Sequence, residues 1–166
     1  MTRAADLAGK FAGRGYGFAT ICSSAGVPVS CSSVSPTLVP FNDTLIWQLA
    51  RDAAGNSCGV TTETLAPVSG TTHPAFVNTR THVGTNASFD PTTGSGTETF
   101  KRYRGGSCIG AAFDKTGATL TSTGTGSFVV SDSGDRFEFI WTSYISISPV
   151  AGNAQGLVFS ETLVRQ

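Results

Sequence analysis

Apolar and polar residues alternate with a period of two along most of the chain. The clearest run is residues 136–147, in which aromatic and aliphatic residues alternate with charged or hydroxylated ones. Residues 43–49 and 157–164 repeat this pattern. Because successive side chains of a strand point to opposite faces, the alternation predicts half-buried β-strands. Only residues 4–12 suggest a short helical turn, which ends at the glycines that follow.

Four short segments that begin with aspartate and end with glycine interrupt these runs. Aspartate hydrogen-bonds the backbone two residues on, and glycine accepts a positive φ, so each pair predicts a tight reversal between strands. Eight to ten strands at a spacing of roughly ten residues then predict one all-β domain over 1–166, with 1–12 as an N-terminal turn or arm. We expect a closed or nearly closed antiparallel meander barrel. The four segments are Asp52–Gly55, Asp90–Gly94, Asp114–Gly117 and Asp132–Gly134.

The charge balance gives no reason to expect a polyanionic partner. Charged residues make up 13% of the chain and the formal net charge is +0. The basic run 101–104 is interpreted as a solvated strand end rather than a phosphate site. No stretch approaches the roughly 20 apolar residues of a membrane span. The sequence therefore predicts neither nucleic-acid binding nor membrane insertion.

The four cysteines favour an exported protein. They permit three pairings, and the closely matched surroundings of Cys58 and Cys108 favour a bond between these two, which leaves Cys22 to pair with Cys31 across the reversal at 25–28. Four free buried thiols are the alternative. With disulfides, the protein is expected to be secreted or periplasmic, its signal peptide having been removed.

The hairpin pattern and two flanking features together resemble the calycins, the lipocalin-like barrels, and in particular small exported bacterial barrels of that shape. Lipocalins have Gly-x-Trp near the first strand, packed against an arginine near the end. Here Gly9, Phe11 and Arg165 occupy those places, with phenylalanine standing where the family has tryptophan. The resemblance implies a cup for a small apolar ligand.

Aromatic residues on the faces predicted to point inward are the candidate ligand-binding residues. Eight or so strands enclose an interior that side chains fill or that holds one small ligand, and the sequence leaves both alternatives open. Tyr144 is a candidate for an orienting polar contact. We predict no metal site and no cofactor, because the turn aspartates are spread over separate hairpins. The inward-facing candidates are Trp47, Phe137, Phe139, Trp141 and Phe159.

Two glutamates are candidate acid or base groups. Glu161 alternates with apolar residues of the last strand and Glu63 shares a face with Leu65, so each would be buried in the barrel with a raised pKa. The alternative is an internal ion pair, or a last strand that faces the other way. His82 and Tyr103 are the further catalytic candidates.

Three functions are consistent with these observations. The first is an exported barrel that binds a small hydrophobic molecule in its interior. The second is a cofactor-independent isomerase or cyclase that acts on a small apolar substrate in the same cavity. The third is an extracellular structural or protein-interaction module without a cavity, which uses exposed strand edges. Homo-oligomerisation is left open.

Overall fold

A computed structural model describes residues 8–21, 23–24, 27–28, 35, 37–65, 76–146 and 158–166. All regular structure in this part of the chain is β-strand, as predicted. In chain order the strands are β1 Gly9–Ile21, β2 Ser23–Ser24, β3 Val27–Pro28, β4 Thr37–Arg51, β5 Ser57–Leu65, β6 Phe76–Asp90, β7 Ser95–Arg104, β8 Ser107–Ile109, β9 Ala112–Asp114, β10 Thr119–Val130, β11 Arg136–Ser146 and β12 Val158–Arg165.

Eight strands form a closed antiparallel barrel. Their order around the barrel is β1-β12-β11-β10-β7-β6-β5-β4. The first strand closes it by pairing with β4 on one side and with β12 on the other, so that Phe11 lies opposite both Trp47 and Arg165. The short pairs β2-β3 and β8-β9 are separate two-stranded ribbons. The predicted meander barrel is confirmed and is consistent with a calycin-like fold.

The four aspartate–glycine turns occur where the sequence predicts them. In the turn before β7, the N–H of Gly94 donates to the carbonyl of Asp90 at 2.8 Å, and Asp90 Oδ1 accepts from the N–H of Thr92 at 2.8 Å. Gly94 has a φ of 71°, which explains the glycine at this position. The turn from Asp114 differs from the others, because it joins β9 to β10 and these two strands do not pair.

The two ends of the barrel differ in their connections. At one end, here called the turn end, lie the short turns 52–56, 91–94 and 131–135, together with the start of β1 and the end of β12. At the opposite end, the loop end, the barrel strands are joined through 22–36, 66–75, 105–118 and 147–157. Long connections at one end of a rigid barrel are a common location for binding residues.

The β8-β9 hairpin packs against the outside of the barrel. A disulfide between Cys58 and Cys108 ties this hairpin to β5, which confirms the predicted pairing. Tyr103 stacks on Phe113 of the hairpin with ring centroids 4.6 Å apart. Such a disulfide is typical of an oxidising compartment. The predicted Cys22–Cys31 bond lies outside the described residues, as does most of the predicted helical turn; from Gly9 onward the chain is strand.

The contact implied by the resemblance between Phe11 and Arg165 is present. The guanidinium of Arg165 lies over the ring of Phe11 at 4.7 Å and donates to the carbonyl of Ala8 at 2.8 Å. It therefore ties β12 to the start of β1 at the turn end.

Candidate functional site

Aromatic side chains fill the lumen toward the turn end. The predicted ligand-binding residues Trp47, Phe137, Phe139 and Trp141 are all buried and face this interior. The ring of Phe139 stacks on that of Trp141, with the ring centroids 5.1 Å apart, and its centroid lies 5.2 Å from that of Trp47. The cavity that remains among these rings has about 20 Å³, which is room for one water molecule. This void is therefore too small for any ligand larger than water.

Two further predicted ligand-binding residues are placed by backbone register alone. Phe159 lies opposite Trp141, and Tyr144 lies opposite Gly124. Their side chains are outside the described part of the structure, so their role remains a prediction.

A cluster of four ionisable side chains lies in the lumen on the loop-end side of the aromatic residues. Arg102 donates to Glu63 Oε1 in a close ion pair, and its Nη2 lies 4.0 Å from Glu161 Oε1. One oxygen each of Asp43, Glu63 and Glu161 lies within 4.8 Å of the others. All four side chains are buried. We refer to Asp43, Glu63, Arg102 and Glu161 as the acid cluster.

The alternation of side chains explains why these groups point inward. Asp43 is two and four residues before the buried Leu45 and Trp47, Arg102 is two residues after the buried Phe100, and Glu161 is two residues before Leu163. Glu63 and Arg102 each lie two residues from the loop end of their strand. The barrel then brings four strands, β4, β5, β7 and β12, together around one point.

Burial dominates the protonation of two members of the acid cluster. It raises the pKa of Glu161 to about 8, against the lowering effect of Arg102 and with a further raising contribution from Asp43. It likewise raises the pKa of Asp43 to about 6, again against Arg102. Near neutral pH, Glu161 therefore holds a proton while Asp43 is mostly ionised.

Aromatic faces border the acid cluster. The guanidinium carbon of Arg102 lies 4.9 Å from the ring centre of Phe100 and 6.0 Å from that of Trp47. The indole of Trp141 beside Glu161 lowers the pKa of that carboxyl group, in opposition to burial. The cluster thus combines carboxylates with electron-rich ring faces, which favour positive charge.

A second buried group contains His82 and Glu98. His82 Nε2 lies 2.8 Å from Glu98 Oε1, and Arg51 Nη2 donates to Glu98 Oε2 at 3.1 Å. Ser57 Oγ also donates to Glu98, at 3.5 Å. Burial opposes ionisation of Glu98, yet the hydrogen bond and charge of His82, with Arg51, hold its pKa below the usual range. Its own hydrogen-bonding and charged partners therefore stabilise Glu98 in the ionised form.

The structure brings only two of the four predicted catalytic candidates together. Glu161 and Glu63 meet in the acid cluster, and the sequence analysis placed both correctly inside the barrel. His82 belongs to the separate Glu98 group, with its ring stacked on Phe100 at 5.3 Å. Tyr103 lies on the face of β7 opposite to Arg102 and packs against the outer hairpin.

Arg102 corrects one prediction. The run 101–104 was expected to be a solvated strand end, but Arg102 is 1% exposed and lies at the centre of the acid cluster. The alternation with Phe100 is the signal that would have found it. Asp43 was also missed, although its spacing from Trp47 places both on one face.

Comparisons with known proteins give no relative from which a function could be inferred. No protein-family model matches the chain, and no match was found among the curated proteins or the solved structures. Within the described residues, the structure has no helix of the length and apolar character needed to cross a membrane.

Proposed function

We propose that this protein is an exported barrel that binds a small, largely apolar molecule in the half of its lumen nearer the loop end. The apolar part of the ligand would lie against Trp47 and Trp141, and its polar group would face Asp43 and Glu161. The void among the aromatic side chains nearer the turn end holds one water molecule, so we place the ligand on the other side of these rings.

The acid cluster is the observation that carries this proposal. Burying a carboxylate costs several kcal/mol unless partners compensate it. Arg102 is the one cation of the cluster, and it faces three carboxylates. Charged groups that weaken the folded state are typical of binding and catalytic sites.

Intrinsic fluorescence tests the proposal directly, because Trp47 and Trp141 are the two tryptophans of the chain. The protein would be titrated with a series of neutral apolar compounds, including a naphthylamine dye, and quenching would be recorded. We expect saturable binding that weakens at least about tenfold, or 1.4 kcal/mol, in Glu63→Gln. The absence of saturable quenching by every compound would overturn the proposal.

Glu138→Gln is the matched control. Glu138 lies on β11, where its exposed side chain pairs with Arg136 at 2.7 Å on the outer surface. The substitution is the same as in Glu63→Gln, but it lies outside the lumen, so binding should be unchanged. Equal loss in both variants would show that the effect does not come from the acid cluster.

A cofactor-independent isomerase is the second candidate, and the paired carboxyl groups favour it. The pKa values of about 6 for Asp43 and about 8 for Glu161 provide a base and an acid at neutral pH. Ionised Asp43 would take a proton from a carbon next to a carbonyl group, and protonated Glu161 would donate one to the carbonyl oxygen. In the return step, protonated Asp43 gives a proton to a carbon of the enol, and ionised Glu161 takes back the proton of the enol oxygen.

Hydrogen–deuterium exchange at carbon tests this second candidate. Small apolar ketones would be incubated with the protein in D₂O and followed by NMR. Catalysed exchange should have a bell-shaped pH profile limited near about 6 and about 8, and Asp43→Asn should abolish it. An exchange rate equal to that of buffer alone excludes this activity for the ketones tried.

The interaction-module alternative receives less support. The alternative depends on exposed strand edges, and closure of the eight-stranded sheet leaves such edges, among the described residues, only on the short β2-β3 and β8-β9 ribbons. Secretion or periplasmic location is proposed on the strength of the Cys58–Cys108 bond. Homo-oligomerisation is left open, and sedimentation of the purified protein would test it.

A further inference from the structure

We propose that the polar group of the ligand is a positively charged amine, so that the barrel is a receptor for small apolar ammonium compounds. This inference rests on the proposed function and names the class of ligand that the acid cluster selects. Three observations carry it: the charge of the cluster, an oxygen without a donor, and the way in which Arg102 is already held.

The acid cluster has an excess of negative charge when it is ionised. Asp43, Glu63 and Glu161 contribute three carboxylates and Arg102 contributes one positive charge. The other buried carboxylate, Glu98, does not draw on Arg102, because it has its own cationic and hydrogen-bonding partners. A positive group would therefore be stabilised at the cluster, whereas the carboxylate of an anionic ligand would be repelled.

Asp43 supplies a buried carboxyl oxygen, Oδ1, to which no side chain of the acid cluster donates; a backbone contact with Gly15 lowers the pKa of this carboxyl group. Its side chain is 6% exposed, and Oδ1 has no hydrogen-bond partner among the described residues. Leaving such a buried acceptor unsatisfied costs about 1–3 kcal/mol. An ammonium group has three N–H donors and no acceptor, and the cluster presents three carboxylates within reach of one another.

Arg102 demonstrates that this environment accommodates an organic cation. Its guanidinium is held by Glu63 on one side and lies over the rings of Phe100 and Trp47. Carboxylates combined with aromatic faces suit an ammonium group attached to an apolar body. A calcium ion instead prefers six to eight oxygen ligands. Among the described residues the cluster offers three carboxylate side chains, so the amine is the better match.

The experiment compares three ligands of equal length, hexylamine, hexanol and hexanoate, by tryptophan quenching and calorimetry on the full chain. At about pH 8 we expect hexylamine to bind at least tenfold more tightly than hexanol, and hexanoate not to bind. Amine binding requires ionised Glu161, so its affinity should fall about tenfold per pH unit below the pKa of about 8. Hexanol affinity should not change with pH in this way.

Two variants and one control test whether the preference for hexylamine over hexanol comes from the acid cluster. Glu161→Gln should remove the preference for amine over alcohol, and Asp43→Asn should reduce it, which provides a second test if the first variant folds poorly. Glu138→Gln, on the outer face of β11, should retain the full preference. Loss of the preference in the control as well would overturn the inference.

The remaining outcomes separate this inference from the proposed function. Equal affinity for hexylamine and hexanol would overturn the amine assignment and leave the apolar binding function standing. Failure of all three compounds, together with failure of the neutral apolar series, would overturn both. Tight binding of Ca²⁺ that blocks hexylamine would overturn the amine assignment in favour of a metal site.

Discussion

Replacing Glu161 with glutamine should remove a pH dependence that this residue of the acid cluster imposes on stability. In the folded protein the pKa of Glu161 is about 8, compared with the ordinary value of 4.5. Between these two pH values the folded state binds more protons at this site than the unfolded state. The contribution of Glu161 to stability is therefore greatest below about pH 4.5 and is lost as the pH rises toward 8.

The size of this effect follows from the two pKa values. The full difference between 4.5 and about 8 corresponds to about 5 kcal/mol, of which about 4 kcal/mol falls between about pH 5 and pH 9. Glutamine cannot ionise. The free energy of unfolding of Glu161→Gln, relative to that of the wild type, should therefore increase by about 4 kcal/mol between about pH 5 and pH 9. Asp43 is present in both proteins, and its raising effect on Glu161 is already included in the pKa of about 8.

Urea unfolding followed by tryptophan fluorescence, in buffers that contain a chelator, measures the difference. The free energy of unfolding would be determined for wild type and Glu161→Gln at several pH values, with Glu138→Gln as the exposed control. The control should differ from wild type by less than about 0.5 kcal/mol at every pH. A difference between wild type and Glu161→Gln that stays constant with pH would refute the assignment of a proton to buried Glu161.

Three further predictions concern stability. Arg102→Met should destabilise the protein by about 3–5 kcal/mol at neutral pH, because it leaves buried carboxylates without their cation, and acidification should recover part of the loss in urea titrations. The double substitution of Cys58 and Cys108 by alanine should cost up to about 4 kcal/mol for a separation of 50 residues, and reductant should destabilise the wild type more than the variant, in which only the predicted Cys22–Cys31 bond remains to be reduced. Gly15→Ala should lower the melting temperature through a loss of about 1–3 kcal/mol, because its Cβ would overlap Asp43 Oδ1; an unchanged melting temperature would contradict this packing.

Local signals in the sequence were sufficient to predict the strands, the turns and the inward aromatic residues. Each of these depends on a few neighbouring residues, such as the alternation around Phe139 or the Asp90–Gly94 turn. The Cys58–Cys108 bond was favoured because both cysteines follow similar turns. Closure of the barrel follows from the same spacing of strands.

The acid cluster was only half predicted, because its composition depends on closure. Glu63 and Arg102 are 39 residues apart in the chain, and nothing local to either residue indicates the other. Arg102 also lies in a basic run, so its neighbours suggested solvent although its alternation with Phe100 indicated the lumen. A charged residue on an apolar face is ambiguous until its partner is known.

The pairing of β1 with β12 has a consequence for how the protein folds and how it aggregates. Tyr16 and Ser160 hydrogen-bond across a separation of 144 residues, and Arg165 reaches Ala8 across 157. Contacts this distant in sequence form late and slowly, so the barrel should pass through an open sheet that lacks only this seam. Until the seam closes, such a sheet has two unpaired edges that can join those of other molecules. Conditions that delay closure should therefore produce aggregates before they produce unfolded monomer.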